Sequence, residues 1–181
     1  MALKNSAEKF GSLTKLLHWL IFFLFIGQFF LVYRREYFPK NSPEKLQYIL
    51  LHESLGVLLL VLALFMITWR HVGVRPTMPA HMSKFEKLIA KTTHLLLYAT
   101  MLIQPLTGIA MSEYSGYEVG VFGWFKLPML VAKNEQMGHL MSEIHEISSF
   151  VIIGLVSFHV IGALYHHFIK KDKVLLRMLP G

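Results

Sequence analysis

Four stretches of this chain are each long and apolar enough to cross a membrane, and nothing else in the sequence restricts the fold as much. A hydrocarbon core ~30 Å thick takes about 20 apolar residues as a helix. The stretches run from Leu13 to Val32, Tyr48 to Trp69, Leu88 to Met111 and Glu143 to Phe168. In lipid every backbone N–H and C=O needs a partner inside the protein, and segments of this length meet that need as helices. The expectation is an all-α membrane protein, a single domain over residues 1–181 folded as a four-helix transmembrane bundle. The first stretch follows a polar, basic start and ends in "YRREYFPK", with no small-residue cleavage site, so it is read as a retained span. The third is the least apolar, with Lys91, Thr92, Thr93, His94 and Gln104 inside it, and Pro105 is expected to kink it.

The distribution of charge gives an orientation. The net charge is +7, but the basic residues sit in short segments beside the apolar stretches, where they meet lipid headgroups; nucleic acid is not the expected partner. Twelve of the 18 Lys and Arg lie in the N-terminal segment, the second connection and the C-terminal segment, and six in the first and third connections. Both termini are therefore expected to face the cytoplasm. There are no cysteines, which excludes disulfides, thiolate nucleophiles, iron–sulfur clusters and covalent haem attachment through thiols. The connection from Ser112 to Ser142 carries apolar and aromatic residues among glycines and is expected to fold over the outer mouth of the bundle with a short interfacial helix. The two ends, "MALKNSAEK" and "RMLPG", are expected to be loose.

An ionisable residue inside a span is costly and marks a functional site by default. Five of the ten histidines lie within the spans: His18, His52, His94, His145 and His159. His71, His81 and His139 fall in connections as solvated surface, and His166 and His167 at the inner end of the fourth span. A neutral imidazole offers one nitrogen as a metal ligand and the other as a donor, and a helix bundle can present such rings from both sides of a haem. A single such histidine is explained as well by an interhelical hydrogen bond. His145 and His159 are 14 residues apart, which is ~21 Å of rise and about 40° short of whole turns, so they project from nearly one face. Measured from the outer helix ends, His18 and His159 lie at ~22 and ~23 Å, and His52 lies close to the level of His145. Depth alone leaves His94, at ~25 Å, as an alternative to His18. Gly56 and Gly162, beside His52 and His159, would let a flat macrocycle approach, or simply close helix packing.

The chain resembles the bacterial cytochrome b-561 family along nearly its whole length. The likeness is carried by "LHWL" around His18, "HESLGVLLL" around His52, "THLLLYATMLIQPLTG" around His94, "IHE" around His145 and "FHVIGALYHHFIKKDKVLLRMLP" from Phe158 to Pro180. The last stretch is the most specific. The resemblance implies two non-covalent haem b groups in the bacterial inner membrane, with iron ligands at His18, His52, His145 and His159, paired His18 with His159 and His52 with His145. In the family the third-span histidine is not an iron ligand. The resemblance also implies exchange of electrons with the quinone pool, with ubiquinone as substrate; some close relatives oxidise superoxide at the outer face.

A quinone site needs a proton-transferring group near a haem edge that opens to lipid. His94, Lys91 and Thr93, with Ser12 and Thr14, are candidates on the inner side, and His166 or Lys91 could instead contact haem propionates. Lys91 is also explained by snorkelling to the headgroups. An outer basic funnel of Arg34, Arg35, Lys126 and Lys133 would attract a superoxide anion. The alternatives are a haem relay docked to a partner dehydrogenase and, from a different class, a proton or metal transporter lined by histidines.

Overall fold

The computed structural model describes residues 2–179, so Met1, Gly181 and Pro180, the last residue of the C-terminal motif, lie outside it. Four helices account for the apolar stretches: α1 Ser12–Arg35, α2 Pro43–Arg70, α3 Lys84–Tyr114 and α4 Glu135–Phe168. Each is long and apolar enough to span a membrane. The fold is a four-helix transmembrane bundle, and its helices run past the apolar stretches at both ends. At 34 residues α4 is ~51 Å long, well beyond a ~30 Å core. It begins at Glu135 rather than Glu143, because the Asn134 side chain accepts from Met137 N–H and caps it there. His139, expected in a connection, is therefore an exposed residue of α4.

The other helix starts are set by comparable local chemistry. Ser42 caps α2 ahead of Pro43, and Ser83 with Glu86 forms a reciprocal capping box on α3. Helix α1 has no side-chain cap. The N-terminal segment serves instead: Ala2 C=O accepts from Ser12 N–H at 3.0 Å, and Asn5 Oδ1 accepts from Gly11 N–H at 2.8 Å. A side chain at Gly11 would collide with the Leu3 carbonyl, so this return of the chain requires glycine.

Each helix packs on its neighbours in sequence: α1 on α2, α2 on α3, α3 on α4. Among the described residues the backbone of α4 approaches neither α1 nor α2. Pro105 lies inside α3, which continues through it without a break. The α3–α4 seam is polar for a membrane interior. Gln104 C=O accepts from His145 Nδ1 at 2.9 Å, the Gln104 side chain accepts from Ser148 Oγ, and Gly108 leaves room for the His145 ring.

One end of the bundle is covered by the α3–α4 connection. It contains no helix among the described residues, contrary to the short interfacial helix expected. Strands β1 Gly120–Val121 and β2 Phe125–Lys126 form an antiparallel hairpin whose turn places Phe122 and Gly123 in the left-handed region, at φ 52° and 72°. The hairpin is hooked onto α2: Ser54 Oγ accepts from Phe122 N–H at 2.7 Å, Glu53 accepts from Gly120 N–H at 3.3 Å, and Val119 is buried.

Both termini lie at the opposite end and clamp each other. Lys15 Nζ donates to Leu179 C=O at 2.7 Å, Trp19 Nε1 to Met178 C=O at 2.8 Å, and Arg177 to Thr77 C=O at 2.8 Å. Thr77 N–H in turn donates to Ala7 C=O at 2.9 Å. The ends expected to be loose are thus held by hydrogen bonds as far as they are described. Asp172 anchors the last segment. Its buried carboxylate accepts from His166 Nδ1 at 2.6 Å, His81 Nε2 at 3.0 Å and Val174 N–H at 2.9 Å. Burial by itself would raise the Asp172 carboxyl, but the Val174 N–H and the two imidazoles hold it below its ordinary value. Its contribution to docking is full above the ordinary value of 3.8 and is lost as pH falls through the lowered one.

Two outcomes follow from this packing. Asp172→Asn should cost about 1.5–3 kcal/mol of local stability, seen as faster amide exchange confined to residues 169–179. A Cβ on Gly108 would come within 3.0 Å of His145 Cε1, whereas one on Gly27 of α1 meets nothing within 4 Å. Gly108→Ala should therefore destabilise the α3–α4 seam by about 1–3 kcal/mol, lowering the thermal midpoint, with Gly27→Ala as an unchanged control.

Candidate functional site

The five span histidines fall into two groups on the open side of the bundle. Near the hairpin end, His52 of α2 faces His145 of α4 with ring centroids 6.3 Å apart. Near the terminal end, His18 of α1 faces His159 of α4 at 6.1 Å, and His94 of α3 abuts His159 edge-on at 5.2 Å. The first two pairs cross from α4 to the helices whose backbones it does not approach. Directly packed helices have axes 8–10 Å apart, so the α4 gap is wider than a packed interface and is bridged by imidazoles.

These separations can be compared with what a shared metal requires. Two imidazoles opposed across one ion, with metal–nitrogen bonds of about 2 Å each, have centroids about 6 Å apart. The His18–His159 and His52–His145 pairs meet that value, and His94–His159 is too close for an ion between opposed nitrogens. The ring nitrogens fit the same picture. His18 Nδ1 and His52 Nδ1 are buried without a hydrogen-bond partner among the described residues. His145 Nδ1 donates to the Gln104 carbonyl, the contact by which a backbone acceptor orients a metal-ligating histidine. Gln104 Nε2 meets that Nε2 at 3.2 Å. His94 is also oriented, with Nδ1 to Ala90 C=O at 2.6 Å. Among the described residues no group of three or more His, Cys, Asp or Glu side chains is arranged to hold a metal ion, so pairs of imidazoles are what the chain offers a metal. The residues present suit a haem held by one axial histidine from each side.

The remaining candidates separate from this gap. His166 is turned to Asp172, so its Nδ1 is engaged within the terminal clamp. His81, expected as plain surface, shares that carboxylate. Thr14 is held between Asn5 and Trp69, Thr93 is buried, and Ser12 makes only a long contact, at 3.5 Å, with Ala2 C=O. Lys91 is exposed and lines a cavity between α2 and α3 with Arg70 and Arg75. Gly162 faces open space, while a Cβ on Gly56 would meet Gln28 at 3.7 Å.

Of the four cations of the expected outer basic funnel, Arg35, Lys126 and Lys133 are matched locally by carboxylates, which weakens the funnel. Arg35 and Lys45 pair with Glu36 at 3.0 and 3.4 Å, Lys126 with Glu118 at 2.6 Å, and Lys133 with Glu135 at 3.4 Å. Arg34 lies against the rings of Tyr37 and Phe38. The bonds from Arg35 and Lys45 hold the Glu36 carboxyl below its ordinary value. Residues that sequence reasoning passed over are Gln28, Gly108 and Ser148. Gln28 is a buried glutamine of α1 that donates to His52 C=O at 3.1 Å; its signal was a polar residue within an apolar run.

Comparison with known proteins gives the family. Residues 9–181 match the model of a family described as prokaryotic cytochrome b561. The chain is 30% identical to cytochrome b561 homolog 2 of Escherichia coli K12 over 99% of its own length and 95% of that protein. It is 30% identical to cytochrome b561 homolog 1 of the same organism, over 96% and 98% of the two chains. A third relative, 28% identical over 96% of this chain and 97% of its own, is the probable superoxide oxidase CybB of Yersinia pestis. Four membrane-spanning helices and facing imidazoles over a full-length match identify the chain as a member of the prokaryotic cytochrome b561 family, a multi-pass bacterial membrane electron-transfer protein of the haem b type.

Proposed function

We propose that the chain is a carrier of two haem b groups, one of which would be held by His52 and His145 near the hairpin end and the other by His18 and His159 near the terminal end, and that it delivers electrons to ubiquinone. The observation that carries this reading is the pair of facing imidazole sets at 6.3 and 6.1 Å along one face of α4. A bound haem would supply a reversible one-electron carrier whose potential follows ligation, burial and nearby hydrogen bonds. Two histidines per iron leave no open position for dioxygen. Gln104 sets the orientation of His145, and Gln28 anchors the backbone of His52. His94 is an orienting neighbour of His159 and lies where a proton-transferring group would serve a quinone entering from lipid.

The donor assigned here is superoxide, in line with the printed name of the Yersinia relative. Local pairing of the outer cations means that anion attraction rests on small local fields rather than on a broad funnel. With both termini cytoplasmic, as the Lys and Arg distribution indicates, the hairpin end is the outer, donor-facing end and ubiquinone is reduced from the other side of the relay, in the inner membrane.

Two measurements check this. Purified protein should show a reducible b-type band, with His52→Ala or His145→Ala losing one haem and keeping the other, and His94→Ala keeping both. Loss of the terminal-end haem in His94→Ala but not in His18→Ala would overturn the ligand pairing. In detergent, superoxide should drive ubiquinone reduction above a heat-treated control; a rate equal to the control would transfer the assignment to a relay serving a partner dehydrogenase.

A further inference from the structure

A cavity of about 350 Å³ lies between α2 and α3 at the terminal end. No residue of α1 or α4 lines it, so it is separate from the imidazole-bridged gap. Arg70, Arg75 and Lys91 stand around it, and its walls below are Ile67, Leu95 and Leu102. We propose that this cavity binds the phosphate headgroup of an anionic phospholipid, with the acyl chain lying along the apolar wall.

Uncompensated charge is the first reason. Among the described residues none of the three cations has a carboxylate within ion-pair distance, whereas Arg35, Lys45, Lys126, Lys133 and Lys170 each find one. No acidic side chain lines the cavity. The Arg70 guanidinium sits 4.8 Å from the centroid of the Tyr98 ring, which turns it across the groove rather than back onto the end of its own helix. Arg75 donates to His71 Nδ1 at 3.1 Å, which fixes it on the same rim. Its remaining donors, and those of Arg70 and Lys91, are left for an anion.

Shape is the second reason. From Lys91 to Leu102 the wall descends 11 residues of α3, ~16 Å, passing from cations to aliphatic side chains. That gradient matches an amphiphile with a charged head at the membrane boundary and a hydrocarbon tail. Basic pockets between spanning helices recognise anionic lipid headgroups in this way. A quinone headgroup is neutral and leaves three cations unanswered, and free phosphate makes no use of the apolar wall.

The proposal stands apart from the haem assignment and is tested without it. The full chain, delipidated in mild detergent, is titrated with phosphatidylglycerol and with phosphatidylcholine of the same acyl chains, and bound lipid is counted by native mass spectrometry. One phosphatidylglycerol should be retained in preference to phosphatidylcholine. Arg75→Gln and Lys91→Gln should each weaken retention about fivefold, while Lys126→Gln leaves it unchanged. Equal retention of the two lipids by the wild-type protein would overturn the proposal whether or not any variant folds. So would full displacement by millimolar inorganic phosphate, which would make a free phosphoanion the ligand, or by decylubiquinone, which would make the cavity a quinone site.

Discussion

Helix α4 packs along α3 and stands away from α1 and α2, and both facing imidazole pairs depend on that separation. If α4 lay against α1 at a packed-helix distance, the rings of His18 and His159 would clash or slide past each other. The separation is held from the α3 side. Gln104, Gly108, His145 and Ser148 form one polar contact inside the membrane, where water offers no replacement for a lost hydrogen bond. The seam therefore does two things: it fixes the tilt of α4, and it aims His145 across the gap.

The two ends of the bundle treat charge differently. At the hairpin end, carboxylates answer Arg35, Lys45, Lys126 and Lys133, and the connecting segment is hooked to α2 through Ser54 and Glu53 next to His52. Exposed pairs of this kind add little stability, but they flatten the local field. At the terminal end, Asp172 is absorbed by two histidines, and Arg70, Arg75 and Lys91 are left without acidic partners. That asymmetry places the unmatched positive charge where anionic headgroups lie, if the termini face the cytoplasm.

How far the sequence could be read depends on the range of each signal. Hydropathy is local, so the four spans were legible, and a fixed rise per residue put His18 level with His159 and His52 level with His145. Depth could not separate His94 from His18, because both end near the same level; the family resemblance set His94 aside, and in the structure its ring lies 5.2 Å from that of His159, against 6.1 Å for His18. The start of α4 was placed too late because Glu135 to Ser142 is polar helix beyond the apolar run, although Asn134 carried the cap signal. The hairpin was missed because each strand has only two residues and its support comes from Ser54, far back in the chain. The pairing of His81 with Asp172 spans 91 residues and has no local mark at all. The expected outer funnel is weakened for the related reason that composition shows how many cations an end carries, not which carboxylates reach them.

The order of helix contacts also bears on how the protein is made. Because each helix packs on the one synthesised before it, the bundle can grow span by span as the chain leaves the ribosome. The edge between α4 and α1 is completed last, and at the terminal end Lys15 and Trp19 hold it by hydrogen bonds to the final described residues. The hydrogen bonds of Lys15 and Trp19 therefore act as a clasp, holding the last residues of the chain against the first helix where the backbones of α1 and α4 do not meet.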